Sequence, residues 1–264
     1  MSKIFDALQI AQGERLAEVR ELNEVLEISP SKEVKPELSI TSPLPLAGFA
    51  HFPFPRFYEE AELLALAQNI AARLPNPDQN VIQFIGSRIG EGTSTLIREF
   101  ALTAARYSNR PVLLVEADFN QPSQNQAFSV ETKPPLEHVL KDGKSLDGVI
   151  SQVAETNLFL ASLSSKVQRS LTDRSFFGST DMWKTARERF SLILIDSSPA
   201  SVTADSLAIC ETVNGVVLVV EAEKTRSAVV QNVKKQILMR EGNLLGIVFT
   251  KRKLHIPKFI YKFL

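Results

Sequence analysis

The sequence is poor in cysteine, in net charge and in long apolar runs, and each shortage removes a class of protein. One cysteine, Cys210, stands in 264 residues, so no internal disulfide framework can form and a reducing compartment is expected. Cys210 closes the apolar run Leu207-Ala208-Ile209, which predicts a buried, inert thiol. Lys+Arg and Asp+Glu both number 30; with no global basic excess, a nucleic-acid partner is not expected. No stretch approaches the ~18 apolar residues that a membrane-spanning helix needs. The opening Met1-Ser2-Lys3 runs into an amphipathic pattern, not a continuous apolar one, so no export signal is expected and the chain is read as soluble and cytoplasmic. His51, His138 and His255 have no ligand-type neighbours in sequence, which leaves no case for a histidine metal site.

What is present falls into three parts. Residues 1–28 predict an amphipathic helix, because Ile4, Phe5, Leu8, Ala11, Leu16, Val19, Leu22, Val25 and Leu26 recur near helical spacing with charges between them. Such a helix is expected to dock on a partner, since its apolar stripe needs cover and an isolated helix of this length is marginal in water. Residues 29–56 hold six of the 14 prolines, too many missing backbone donors for a packed domain, and predict an extended linker. A compact domain is expected over residues 57–264. There the pattern alternates: helix 58–73, strand 81–85, helix 93–107, strand 112–115, a helical stretch near 135–154, strand 158–160, helix near 180–189, strand 192–195, helix 203–212, strand 215–220, helix 225–241 and strand 245–249. The strands are continuous apolar runs, so both of their faces are buried. That predicts an α/β fold, a mostly parallel sheet covered by helices on both faces.

One turn between a strand and a helix carries the chemistry. Gly86-Ser87-Arg88-Ile89-Gly90-Glu91-Gly92-Thr93-Ser94-Thr95 has the setting of a phosphate loop, in which backbone N–H groups wrap phosphates at a helix N-terminus. The glycines at 90 and 92 permit close backbone approach, and the Ser94 hydroxyl stands where Mg²⁺ would be held. The usual pattern, G-x-x-x-x-G-K-[ST], demands a lysine at position 93, and Thr93 stands there. An ordinary glycine-rich turn is the competing reading. Two strand ends argue for the loop. Strand 112–115 runs into Glu116-Ala117-Asp118 and strand 192–195 into Asp196-Ser197-Ser198-Pro199. In a parallel sheet both acidic ends lie at the carboxyl edge, where such folds bind ligands, and carboxylates there can hold Mg²⁺ or its waters. Asp196 could instead merely cap the segment that follows it.

In these motifs the chain resembles the bacterial tyrosine kinases (BY-kinases) of capsule and exopolysaccharide synthesis. Residues 90–95 resemble their G-E-G-K-[ST]-T loop, residues 115–122 are similar to their D-x-D-x-R-x-P motif, and residues 195–199 look like their D-[ST]-P-P motif. The resemblance spans about residues 58–264. It implies a P-loop NTPase-like fold and a site for ATP and Mg²⁺. It assigns nucleotide contacts to Gly90, Glu91, Gly92, Thr93, Ser94 and Thr95, metal binding to Ser94, Asp118 and Asp196, and catalytic roles to Asp118 and Asp196; Arg88 joins the nucleotide contacts through a likeness to related positioning ATPases. It also implies an inner-membrane polysaccharide co-polymerase as partner, self-association, and a cytoplasmic location at the membrane periphery through that partner.

The departures bear on activity. The loop lysine is Thr93, the first acid of the second motif is Glu116, and the usual arginine is Asn120. The arginines of the family's ring-building E-x-x-R-x-x-R-T-N segment are absent from residues 61–69. The three tyrosines, Tyr58, Tyr107 and Tyr261, are scattered and do not cluster in a tail, so weak or no tyrosine-kinase activity is expected. A non-catalytic pseudo-ATPase adaptor is one alternative. A partitioning-type positioning ATPase is another, because Arg88 lies five residues before Thr93, the offset of a signature lysine that reaches across a dimer in those proteins; a solvated loop arginine is the plainer reading. The last residues, 251–264, interleave five cations with apolar and aromatic side chains. That tail could lie on an anionic membrane surface or pack on its own domain.

Overall fold

The computed structural model describes residues 54–252 apart from 75, 77–79, 109, 141–144, 165–182 and 204. The chain divides into two compact units, residues 1–35 and 36–264, and every described residue lies in the second. The expected helix at 1–28, nearly all of the linker at 29–56 and the tail beyond residue 252 lie outside the described residues. Among the described residues no helix is long and apolar enough to cross a membrane.

The described helices are α1 (Glu60–Arg73), α2 (Thr93–Tyr107), α3 (Gln124–Phe128), α4 (Glu137–Leu140), α5 (Lys184–Arg189), α6 (Asp205–Ala208) and α7 (Ser227–Met239). The strands are β1 (Val81–Gly86), β2 (Val112–Ala117), β3 (Ser151–Gln152), β4 (Leu158–Ser162), β5 (Leu192–Ser197), β6 (Gly215–Glu221) and β7 (Leu244–Thr250). They form one seven-stranded sheet in the order β3-β4-β2-β5-β1-β6-β7, parallel at every pairing except β3 with β4.

The apolar runs account for this arrangement. Every residue of β1 and β2 is buried, and the two faces of each strand serve different cores. Ile82 and Phe84 of β1, Leu114 of β2 and Leu194 of β5 pack with Leu63 and Ile70 of α1 and with Leu96 and Phe100 of α2. Val81, Leu113, Val115, Ile193 and Ile195 turn the other way, onto Leu136, Trp183 and Phe190. Alternate residues (side chains two apart share a face) thus supply opposite layers. A third cluster joins Ile85, Val216, Leu218 and Val220 to Val230, Val233 and Ile237 of α7. Cys210 is buried in that third cluster, and burial pushes its thiol up to about 12, as the apolar run predicts.

Two local expectations change. The stretch at 135–154 is not one helix. It holds α4, a 3₁₀ turn at Leu146–Gly148 and the short strand β3, which pairs antiparallel with β4. Ser145 accepts a hydrogen bond from the Asp147 amide and so starts a new turn, and pairing with β4 at the sheet edge draws Ser151 and Gln152 into strand. Ordered packing also starts before residue 57: Phe54 meets Phe128 edge-on at 5.5 Å, and the buried Glu99 carboxylate accepts hydrogen bonds from the Phe57 and Tyr58 amides at 2.9 and 3.1 Å.

Helix α2 is the element that carries the loop, and Phe100 seats it against Phe84 with ring centroids 5.6 Å apart. Phe100→Ala is expected to lower stability by about 3–5 kcal/mol, read from urea unfolding of the full chain. A loss under 1 kcal/mol would mean that α2 is not held by this contact.

Candidate functional site

The loop after β1 is built by close approach. A Cβ on Gly86 would lie 2.7 Å from Thr93 Oγ1, so the chain can fold back on itself there only without a side chain at 86. Gly90 and Gly92 have φ of +83° and +85°, the left-handed region that favours glycine. Gly92 occupies the N-cap of α2, and the start of that helix, Thr93 to Thr95, leaves amides that the helix itself cannot satisfy, the first intrahelical bond being that of the Leu96 amide to the Gly92 carbonyl at 2.9 Å. Together with the helix dipole this makes the loop mouth an anion-binding position.

Glu91 fastens the loop from inside. Its side chain is 2% exposed. Its carboxylate accepts from Ser87 Oγ at 2.7 Å, from the Arg88 amide at 2.8 Å and from Thr225 Oγ1 at 2.6 Å. Its carbonyl accepts from Thr250 Oγ1 at the end of β7. The Glu91 side chain is therefore committed to loop shape. Thr93 is 8% exposed with its hydroxyl turned toward Gly86, while Arg88 and Gly90 are exposed and Thr95 is half-buried on the first turn of α2.

The parallel register brings the acidic strand ends to this mouth. Asp196 of β5 lies opposite Phe84 of β1 on one side and opposite Glu116 of β2 on the other. Ser94 Oγ donates to Asp196 Oδ1 at 3.2 Å. Asp196 is fully buried, and burial pushes its carboxyl up to about 6 against the opposing hydrogen bonds from Gln124 and Ser94. Glu116 is raised further, to about 8, first by burial and then by the charge of Asp196. Two carboxylates held side by side at such depth share protons, so they titrate as a pair. Asp118 sits at the same edge, but its Oδ1 is occupied by the turn that follows. It accepts from Ser198 Oγ at 2.7 Å and from the amides of Asn120 and Gln121 at 3.0 and 3.2 Å. The structure thus joins Ser94 to Asp196, and commits Asp118 Oδ1 to its own turn and to Ser198 beyond β5.

Gln124 and Arg98 were not legible as site residues. Gln124 is fully buried; its Nε2 donates to Asp196 Oδ2 at 2.6 Å and to the Ser94 carbonyl at 3.0 Å. Its Oε1 accepts from Arg98 Nε at 2.9 Å. The Arg98 guanidinium also lies over the Phe54 ring, 5.2 Å from its centroid, and burial lowers its pKa while Asp196 and Glu116 oppose that shift. Helix α3, which carries Gln124, has no local cap. Its first amides, Ser123 and Gln124, donate at 2.7 Å to Glu116 Oε2, a carboxylate seven and eight residues earlier on β2. A serine after Pro122 was the only local sign of a helix start there, and the real cap came from elsewhere in the fold.

Among the described residues no three His, Cys, Asp or Glu side chains gather into a metal-binding group. The donor set that does form, Ser94 with Asp196, is all oxygen. That fits Mg²⁺, which takes one or two protein oxygens and completes its shell with phosphate and water.

Comparison with known proteins agrees with this architecture. No family model matches the chain. Its curated relatives are bacterial tyrosine-protein kinases. CpsD of Streptococcus pneumoniae is 26% identical over 204 residues, covering 75% of this chain and 87% of CpsD. YwqD of Bacillus subtilis is 24% identical over 165 residues, covering 62% of this chain and 69% of YwqD. Among solved structures, the kinase domain of the Escherichia coli tyrosine kinase ETK superposes with a TM-score of 0.65 at 15% identity, over 88% of this chain and 86% of that one. A variant of Cyanothece McdA in complex with ATP superposes with a TM-score of 0.54 at 19% identity, over 65% and 70% of the two chains. The fold is the P-loop NTPase-like one of these domains.

The buried pair sets a pH dependence. Glu116 keeps its proton in the folded protein up to about 8 but loses it near 4.5 when unfolded. Between those values folding takes up a proton, so stability falls as pH rises, by at most ~1.4 kcal/mol per pH unit for one proton. Glu116→Gln is expected to flatten the fall between pH 5 and 8 in thermal melts. A wild-type melting temperature that rises through that window would contradict the assignment.

Proposed function

We propose, on the premise that the chain's relatives are bacterial tyrosine kinases, that it is the ATP-binding component of an exopolysaccharide or capsule biosynthesis system with weak or no tyrosine-kinase activity. The observation that carries this reading is the Ser94–Asp196 contact at the mouth of a loop that keeps its left-handed glycines and its strand–helix setting. ATP would lay its phosphates on the amides at the start of α2. Ser94 and Asp196 would hold Mg²⁺, whose charge offsets that of the phosphates. Asp118, if it takes part, would do so through Oδ2, because Oδ1 accepts from Ser198, Asn120 and Gln121. An inner-membrane polysaccharide co-polymerase is the proposed partner, and the proposed location is the cytoplasmic face of the membrane, reached through that partner. Self-association and contact of the tail at 251–264 with the membrane surface belong to the same proposal.

A non-catalytic adaptor is the second reading. Thr93 in place of a cation and the neutral Gln124 amide already seated on Asp196 favour it, because both reduce the charge available to a transferring phosphoryl group. Hydrolysis separates the two: the adaptor binds nucleotide and releases no phosphate.

Titration of the full chain by calorimetry is expected to detect weak ATP binding that strengthens with Mg²⁺. A charged hydrogen bond to phosphate is worth ~1.5–3 kcal/mol, so Thr93→Lys is expected to tighten ATP binding by roughly one to two decades. Identical affinity in that variant, together with a wild type that binds ATP no better than adenosine, would remove the loop as a phosphate site. Incubation with ATP and Mg²⁺ is expected to leave no phosphotyrosine on the chain, and strong labelling abolished by Asp196→Asn would reverse the view of its activity.

A further inference from the structure

A phosphate loop made only of amides presents partial charges, and position 93 adds no full charge to them. The structure places a cation beside the loop by another route. Lys251 follows the last residue of β7, and its Nζ donates to the Gly90 carbonyl in the loop and to Glu221 Oε2 at 3.2 Å. Its Cε passes 3.9 Å from where a Cβ on Gly92 would stand, alongside the residue that precedes Thr93. The neighbouring Thr250 hydroxyl donates to the Glu91 carbonyl, so the end of β7 is tied to the loop at two successive residues. Lys251 also has φ of +53°, a left-handed backbone uncommon for a residue other than glycine.

We infer that Lys251 supplies the phosphate-binding ammonium that the loop lacks at position 93, delivered from the carboxyl end of β7 to the phosphates of a bound nucleotide. The inference rests on the nucleotide-binding reading of the same loop. An ammonium has three donors, and the described acceptors, the Gly90 carbonyl and Glu221, occupy two. The Lys251 side chain is 49% exposed, so the third can reach an incoming oxygen. Glu221 can release it without being stranded, because Lys224 Nζ also binds Glu221 Oε2, at 3.0 Å. Arg88, the other cation of the loop, makes no described side-chain hydrogen bond that would aim it at the same mouth.

The test compares ATP with adenosine by calorimetry on the full chain, with melting temperatures as a folding control. Lys251→Ala is expected to weaken ATP binding by roughly tenfold or more and leave adenosine binding unchanged. Lys251→Gln, which is one atom shorter and keeps an N–H donor but removes the charge, is expected to lose as much. Thr93→Lys added to Lys251→Ala is expected to restore ATP affinity. Glu221→Gln is expected to tighten ATP binding more in the wild type than in Lys251→Ala, because it removes the anion that competes for Lys251; a Lys251 that only pins β7 to the loop would give the same gain in both. A wild type that binds ATP, together with a Lys251→Gln variant that binds it as tightly, overturns the assignment and leaves the proposed function standing. A wild type that binds no nucleotide overturns both.

Discussion

The site depends on one enforced proximity: Asp196 and Glu116 face each other across the parallel β5–β2 pair, both buried. Neither carboxylate can move away, because the apolar residues that precede them fix the strands in the sheet. Two like charges at this depth cannot both persist cheaply, so the neighbouring polar groups are recruited to them. Ser94 and Gln124 donate to Asp196, the amides at the start of α3 donate to Glu116, and Arg98 completes the ring through Gln124. The helix that bears the loop and the helix that bears Gln124 are thereby tied to the same two strand ends.

That arrangement explains why the chain keeps the form of a nucleotide site while departing from its usual chemistry. The backbone features, a side-chain-free Gly86 and left-handed Gly90 and Gly92, are conditions for folding the loop at all. Glu91 reinforces them by joining the loop to the segment after β6 and to the last residue of β7. A lysine at position 93 is not needed for any of these contacts. Its replacement by threonine therefore changes what the loop can hold without changing how it is built, and the likeness in fold to kinase and ATPase domains persists at 15–19% identity.

The order of strands decides which residues become neighbours. β5 enters the sheet between β1 and β2, although it comes later in the chain than both. This insertion brings Asp196 to a loop about a hundred residues earlier, and β6 and β7 on the other side of β1 bring Glu221, Thr225, Thr250 and Lys251 to the loop's opposite rim. Each rim is a product of topology, so no window of sequence contains it.

The sequence by itself determined the sheet, its burial and the place of the loop. The apolar runs at 81–85 (interrupted only by Gln83), 112–115, 192–195 and 215–220 admit no solvent-facing side, and glycines at 90 and 92 before a helical pattern admit few backbone paths. Ser94 and Asp196 were legible as partners because strand ends in a parallel sheet share an edge. Helix α3 was not legible, since its cap is Glu116 on β2, and neither were Gln124 and Arg98, whose types are unremarkable where they stand. Only the tertiary structure decided that Glu91 faces inward, that Asp118 is tied to Ser198 beyond β5, and that Lys251 lies along the loop. Hydrogen bonds between residues remote in the chain carry those outcomes, and their geometry exists only after β5, β6 and β7 have taken their places around β1.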